Sequence, residues 1–172
     1  MRKTQVCLTL ACCFFALASC AWAQSGRKPG LYDVTSTMTF QQSPMPQGMQ
    51  APPGSPFSGA PRTNQVCVTQ AMIDKFGGPS PTPQRGDCQV TNVSMSLTSM
   101  TASIACTGQM TGSGTVNASF TEGGTGQTKV HFTGTMQMGP NSRPMDISMT
   151  AKSVYKGPDC GNVKPLPVPP AK

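Results

Sequence analysis

From Cys88 to Met149, apolar residues recur at every second position in short runs, and glycine, proline or asparagine separates one run from the next. A pleated strand sends successive side chains to opposite faces, so this period of two demands half-buried strands and excludes long helices. Residues 88–97 and 100–107 form one candidate hairpin, with Val93, Met95 and Leu97 facing Met100, Ala102 and Ile104. Gly112, Ser113 and Gly114 read as the next turn. Val116, Ala118 and Phe120 then mark a strand that stops at Glu122, Gly123 and Gly124. Val130, Phe132, Met136 and Met138 share one parity, as do Met145, Ile147 and Met149, with Gly139, Pro140 and Asn141 between them. The expectation is a mainly β fold, an antiparallel sheet strongly curved or closed like a barrel.

The preceding segment fits the same scheme. In residues 30–40, Tyr32, Val34, Met38 and Phe40 fall on one parity and Asp33, Thr35, Thr37 and Thr39 on the other. Residues 41–61 carry six prolines and three glycines, and so lack the apolar groups that would offset the entropy of ordering; a mobile insert is expected. A short strand at 64–68 carries Cys67. Thr69 is then placed to cap a helix through Phe76, with Ala71, Met72, Ile73 and Phe76 apolar and Gly77, Gly78 and Pro79 as the stop. A second proline-rich connection covers 79–86. One β-rich domain over 29–163 is expected, followed by a Pro-rich tail at 164–172 that should carry no structure.

The first residues are of a different kind. Arg2 and Lys3 precede an apolar run from Val6 to Leu17, then small residues around Ala21, Trp22 and Ala23. This is the layout of an export signal over 1–23, too short and too polar on its far side for a membrane span. Cleavage after Ala23 leaves a free chain beginning at Gln24. Cleavage before Cys20 leaves an N-terminal cysteine, and Leu17, Ala18, Ser19 and Cys20 resemble a bacterial lipobox, in which that cysteine is lipidated. We favour the free form, periplasmic or secreted, with lipid anchoring to the outer membrane at Cys20 as the alternative.

Four cysteines remain in the body: Cys67, Cys88, Cys106 and Cys160. In an exported chain they read as two disulfides, among three pairings. A hairpin turning near Leu97 and Thr98 would set Cys88 opposite Cys106 and leave Cys67 for Cys160, although a slip of one residue would turn one cysteine to the wrong face. No Cys-x-x-Cys pair occurs and His131 is the one histidine, so no metal site is expected. Removing Arg2 and Lys3 from 13 basic residues leaves eleven against six acidic ones, which lowers the formal charge from +7 to +5. The basic residues are scattered singly, without the patch that nucleic-acid binding requires.

No catalytic constellation stands out. His131 lies on the polar parity with Thr133 and Thr135 and reads as an exposed sheet residue, while Asp33, Asp74, Asp87, Asp146 and Asp159 are far apart in sequence. An acid–base site would have to be assembled from His131 and an aspartate such as Asp146 across neighbouring strands. Met38, Met72, Met95, Met100, Met110, Met136, Met138, Met145 and Met149 mostly take apolar parity and are expected to fill the core. Met45 and Met49 in the insert are the candidates for Cu(I) capture, with no histidine or cysteine beside them. Asn92 and Asn117 begin glycosylation sequons, which matter only in a eukaryotic host. No catalytic, cofactor-binding or metal residue and no cofactor is expected.

Several of these segments carry a resemblance. Gly30-Leu31-Tyr32-Asp33-Val34-Thr35 is similar to the opening Gly-Leu/Met-Trp-Glu-x-Thr of a large bacterial family of exported, cysteine-containing proteins of unknown function. Val66-Cys67-Val68-Thr69, Cys88 with Val90, Ala105-Cys106-Thr107-Gly108 and Gly157-Pro158-Asp159-Cys160-Gly161 match further parts of the pattern. Tyr32 and Asp33 replace the usual Trp and Glu, and the insert is longer than in the pattern. The resemblance implies a periplasmic or envelope location, and supplies no ligand or catalytic residue. The functional expectation is a non-enzymatic binding or structural module of the envelope whose partner the sequence leaves unknown, a small hydrophobic molecule or an envelope component. The alternatives are a carrier of a small hydrophobic ligand, a hydrolase or isomerase, and a copper-binding protein.

Overall fold

The computed structural model describes residues 27–43, 45, 51–52, 54–55, 58–79, 87–166 and 168. The leader, Cys20, Met49 and most of the 79–86 connection lie outside the described residues. Seven strands, β1 (Gly30–Gln42), β2 (Arg62–Val68), β3 (Cys88–Met95), β4 (Ser99–Thr107), β5 (Met110–Phe120), β6 (Gly126–Met138) and β7 (Asn141–Gly157), form one antiparallel sheet in the order β2-β1-β7-β6-β5-β4-β3. Strands β3 to β7 follow one another as a meander. The chain reaches β1 first, and β1 pairs with β7 on the far side.

The sheet is open and only weakly curled, which corrects the expectation of a strongly curved or closed one. The physical reason lies in what covers the apolar face. Instead of wrapping on itself, the sheet is packed by α1 (Gln70–Phe76) and by the residues after Cys160. Both edges are blunted. Pro165 forms a parallel bridge with Cys67 beside β2. In β3 the register shifts between Thr91 and Ser94, and Asn92 takes a positive φ of 52°, a bulge that bends the edge away from further pairing.

The helix forms where expected because both ends are capped. The Thr69 side chain accepts a hydrogen bond from the Met72 amide, and the Gly77 amide (φ 71°) donates to the Ile73 carbonyl. With seven residues the helix would not persist alone, and it is held by burying Met72, Ile73 and Phe76. Phe76 enters a cluster with Met100, Ala102, Ile104, Val116, Val130, Phe132, Met145 and Ile147; Met72 and Ile73 join Tyr32 and Val68 in a second. Each such side chain contributes roughly 1.5–3 kcal/mol when fully buried. Val168 packs against both clusters and Leu166 against the second. The tail therefore docks at least to Val168, against the expectation that it carries no structure.

Two local readings change. Gly112, Ser113 and Gly114 lie inside β5, not in a turn; the chain reverses at Gly108 and Gln109 instead. Gly112 pairs with Gly134, and a Cβ at either would run into a backbone oxygen of the facing strand, so glycine here permits close approach. The bulge in β3 also splits its parity, with Cys88 and Val90 before it and Met95 after it aligned with the inward residues Cys106, Ile104 and Met100. The sulfurs pair as Cys88–Cys106, across the β3–β4 hairpin, and Cys67–Cys160, between β2 and the segment after β7.

Candidate functional site

Because every strand alternates, one face of the sheet is apolar and the other is almost wholly polar. On the outer face, cross-strand neighbours Thr91, Ser103, Thr115, His131, Ser148 and Thr39 run from β3 to β1 as a continuous ladder. A shallow depression on this face is lined by Thr91, Ser103, Ser113, Thr115, His131 and Thr133. Here the structure brings together two residues far apart in sequence: His131 Nε2 lies 2.9 Å from Asp146 Oδ1, diagonally across β6 and β7. The His131 side chain is 55% exposed and that of Asp146 31%. At that exposure water screens the pair and it contributes at most about 1 kcal/mol. It has the hydrogen-bond reach that acid–base chemistry requires, on a face where water is not excluded.

The inner face is filled by the chain itself. Met72, Met100 and Met145 are buried, and Met38, Met110, Met136 and Met149 pack against the main cluster, so the methionines act as core filler. Met95 and Met138 are exposed. Met45 of the copper candidate pair is described and Met49 is not; among the described residues no group of three or more His, Cys, Asp or Glu side chains could hold a metal. Near the start of β1, the cleft between Arg27, Tyr32, Phe120 and Gly124 has a volume of about 10 Å³, room for a single water.

That cleft lies beside a device that the linear sequence did not reveal. The Arg27 guanidinium sits 4.6 Å from the centre of the Phe120 ring and donates to the carbonyls of Ser96 and Leu97 in the β3–β4 turn, the latter at 3.3 Å. Burial there lowers the Arg27 pKa from its ordinary value. Next to it the Tyr32 hydroxyl donates to the Lys28 carbonyl at 2.6 Å, and its ring meets Tyr155 edge-on at 5.3 Å. Burial, first, and then the neighbouring Tyr155 push the Tyr32 phenol up, partly opposed by the bond to Lys28. Arg27 thus clamps the segment entering β1 to the β3–β4 turn at the far edge of the sheet, while Tyr32 ties that segment to β1 itself and packs on the adjacent β7. Beyond the clamp, Val93, Met95 and Leu97 stand exposed, Leu97 at 67%. The only hint in the sequence is that the alternation of Val93 and Met95 continues into the turn at Leu97, where an apolar residue has no inward place.

Among the described residues no helix is long and apolar enough to cross a membrane. No curated protein and no solved structure matches the chain. A family model described as "Protein of unknown function (DUF3617)" matches residues 27–160, from the Arg27 clamp to the second disulfide, and the chain belongs to that family.

Proposed function

We propose that this protein is an exported module of the cell envelope that works by contact through its surface, without catalysis. The observation that carries this reading is the closed apolar face, where Phe76, Met72, Met100 and Met145 are buried by the sheet, α1 and the docked tail. A carrier of hydrophobic molecules needs an apolar cavity of a few hundred Å³. The described residues instead pack their own side chains there. The two disulfides are compatible with an oxidising extracellular compartment, in agreement with the leader. Native mass spectrometry of protein purified from its own host is the test, and the expected mass is that of the polypeptide with its covalent modifications. A small molecule that co-purifies reproducibly would refute the reading in favour of a carrier.

A second reading is favoured by one observation, the 2.9 Å contact between His131 and Asp146. It makes the outer face a hydrolytic or isomerase site. Turnover of a panel of activated esters by the wild type and not by His131→Ala would support it. Equal background rates would remove it.

A further inference from the structure

We propose, resting on the envelope reading above, that the depression on the outer face binds an uncharged, linear, β-linked glycan, laid across β3 to β6 over Thr91, Ser103, Thr115 and His131. These four are successive cross-strand partners, so their side chains stand in one row. Ser113 and Thr133 pair in the row beside it, next to the small Ala105. The depression has a volume of about 400 Å³, within the ~300–1,000 Å³ usual for a ligand site. Among the described residues, the hydroxyls of Thr91, Ser113, Thr115 and Thr133 have no hydrogen-bond partner. Asn92 adds an amide at the edge strand. It is the one non-glycine residue with a positive φ, 52°, among those described, and its Nδ2 donates to Ser103 Oγ in a long bond of 3.5 Å. The bulge in β3 thus does more than protect the edge; it also brings this amide beside the hydroxyl row.

The lining selects the ligand. A hydroxyl both donates and accepts, as sugar hydroxyls do, so a row of them matches a polyol. His131 is engaged by Asp146 at 2.9 Å, so no cation free of a partner lines the depression. Lys129 and Lys152 belong to the neighbouring cross-strand rows and do not line it. A phosphorylated or sulfated glycan would bring charge that the site does not offset. An apolar ligand would strip water from the hydroxyls and leave them unpaired. Neighbouring strands lie ~4.8 Å apart, close to the length that one sugar adds to an extended β-linked chain, so each strand of the row meets one sugar. An α-linked chain coils and loses this match. The lining is open to water and holds no aromatic ring, so a single sugar binds weakly and affinity comes from several in series.

The test is a titration of the isotope-labelled protein, expressed and processed in its host, followed by amide NMR. The probes are chitotetraose, its monomer N-acetylglucosamine, the α-linked maltotetraose, and heparin as an anionic glycan. The expected result is shifts confined to the residues around Thr91, Ser103, Thr115 and His131, with the tetramer bound at least about tenfold more tightly than the monomer and maltotetraose without effect. Two variants locate the site. Asn92→Gly removes the amide and keeps the bulge, because glycine accepts the positive φ. Thr115→Val removes an exposed hydroxyl and keeps a β-branched side chain in the strand. Each should weaken chitotetraose at least about threefold while the melting temperature is held. The proposal is overturned by no shift up to about 10 mM, by shifts elsewhere on the protein, by equal binding of monomer and tetramer, by binding of heparin alone, or by variants that bind as the wild type does. A silent titration leaves the envelope-contact reading standing, since that reading fails only on a small molecule that co-purifies in the native mass measurement.

Discussion

Replacing each disulfide by a pair of alanines should destabilise the protein by different amounts, set by the length of chain each bond encloses. Cys67–Cys160 spans a sequence separation of 93 and Cys88–Cys106 one of 18. Closing such loops in the unfolded chain gives roughly 4.7 and 3.2 kcal/mol of stabilisation, a difference of about 1.5 kcal/mol. The longer bond has a second effect. It ties the segment after β7 to β2, so its loss also loosens Leu166 and Val168 from the clusters they cover. The Cys67→Ala/Cys160→Ala protein should therefore lose at least about 4 kcal/mol, a large share of the 5–15 kcal/mol typical of a domain. Removing both cysteines of a pair avoids a free thiol, and alanine avoids placing a hydroxyl at the buried positions 67 and 106. Guanidinium unfolding followed by circular dichroism measures both variants, with m expected to rise as the unfolded chain expands. The reasoning fails if Cys88→Ala/Cys106→Ala is as destabilised as the other pair, because local strain or packing in the hairpin would then outweigh loop entropy.

Gly112→Ala and Gly134→Ala should each cost about 2 kcal/mol or more in the same assay, because the new Cβ meets a backbone oxygen of the facing strand. Thr69→Ala removes the acceptor for the Met72 amide and should cost about 1 kcal/mol. Asp146→Ala should change stability by no more than about 1 kcal/mol, since its partner His131 is exposed; a larger loss by thermal denaturation would mean that the pair is structural. The Tyr32 phenol is raised in the folded state, so its contribution is fully present below the unfolded value of about 10 and is lost as pH rises through the folded value. Unfolding free energy should fall more steeply above pH ~10 in the wild type than in Tyr32→Phe.

Where local rules suffice, the sequence was legible. Thr69 and Gly77 bracket the helix as capping chemistry dictates, and Leu97 with Thr98 forms the hairpin turn that sets Cys88 against Cys106. Where the signal depends on a neighbour, it misled. Gly112, Ser113 and Gly114 look like a turn until β6 is seen to pass so close that a Cβ cannot fit. The prolines of the tail suggested no structure, yet Pro165 needs no free amide to lie beside an edge strand, and Leu166 and Val168 find apolar partners. By contrast, the pairing of His131 with Asp146 across neighbouring strands was named from the sequence as the contact an acid–base site would require, and β6 and β7 make it diagonally.

The alternation of apolar and polar residues by itself determined that the chain forms strands, which side chains share a face wherever no bulge intervenes, and that most of the methionines fill a core, whereas the bulge in β3 leaves Val93, expected to face the core, exposed. Those properties follow from backbone geometry, and each depends on residues within a few positions of one another. The tertiary structure decided that the sheet stays open, that a short helix and the docked tail close its apolar face, and that Arg27 reaches the Ser96 and Leu97 carbonyls. These depend on which distant surfaces meet, a choice made by the total area buried and by the two crosslinks, and no local segment contains it.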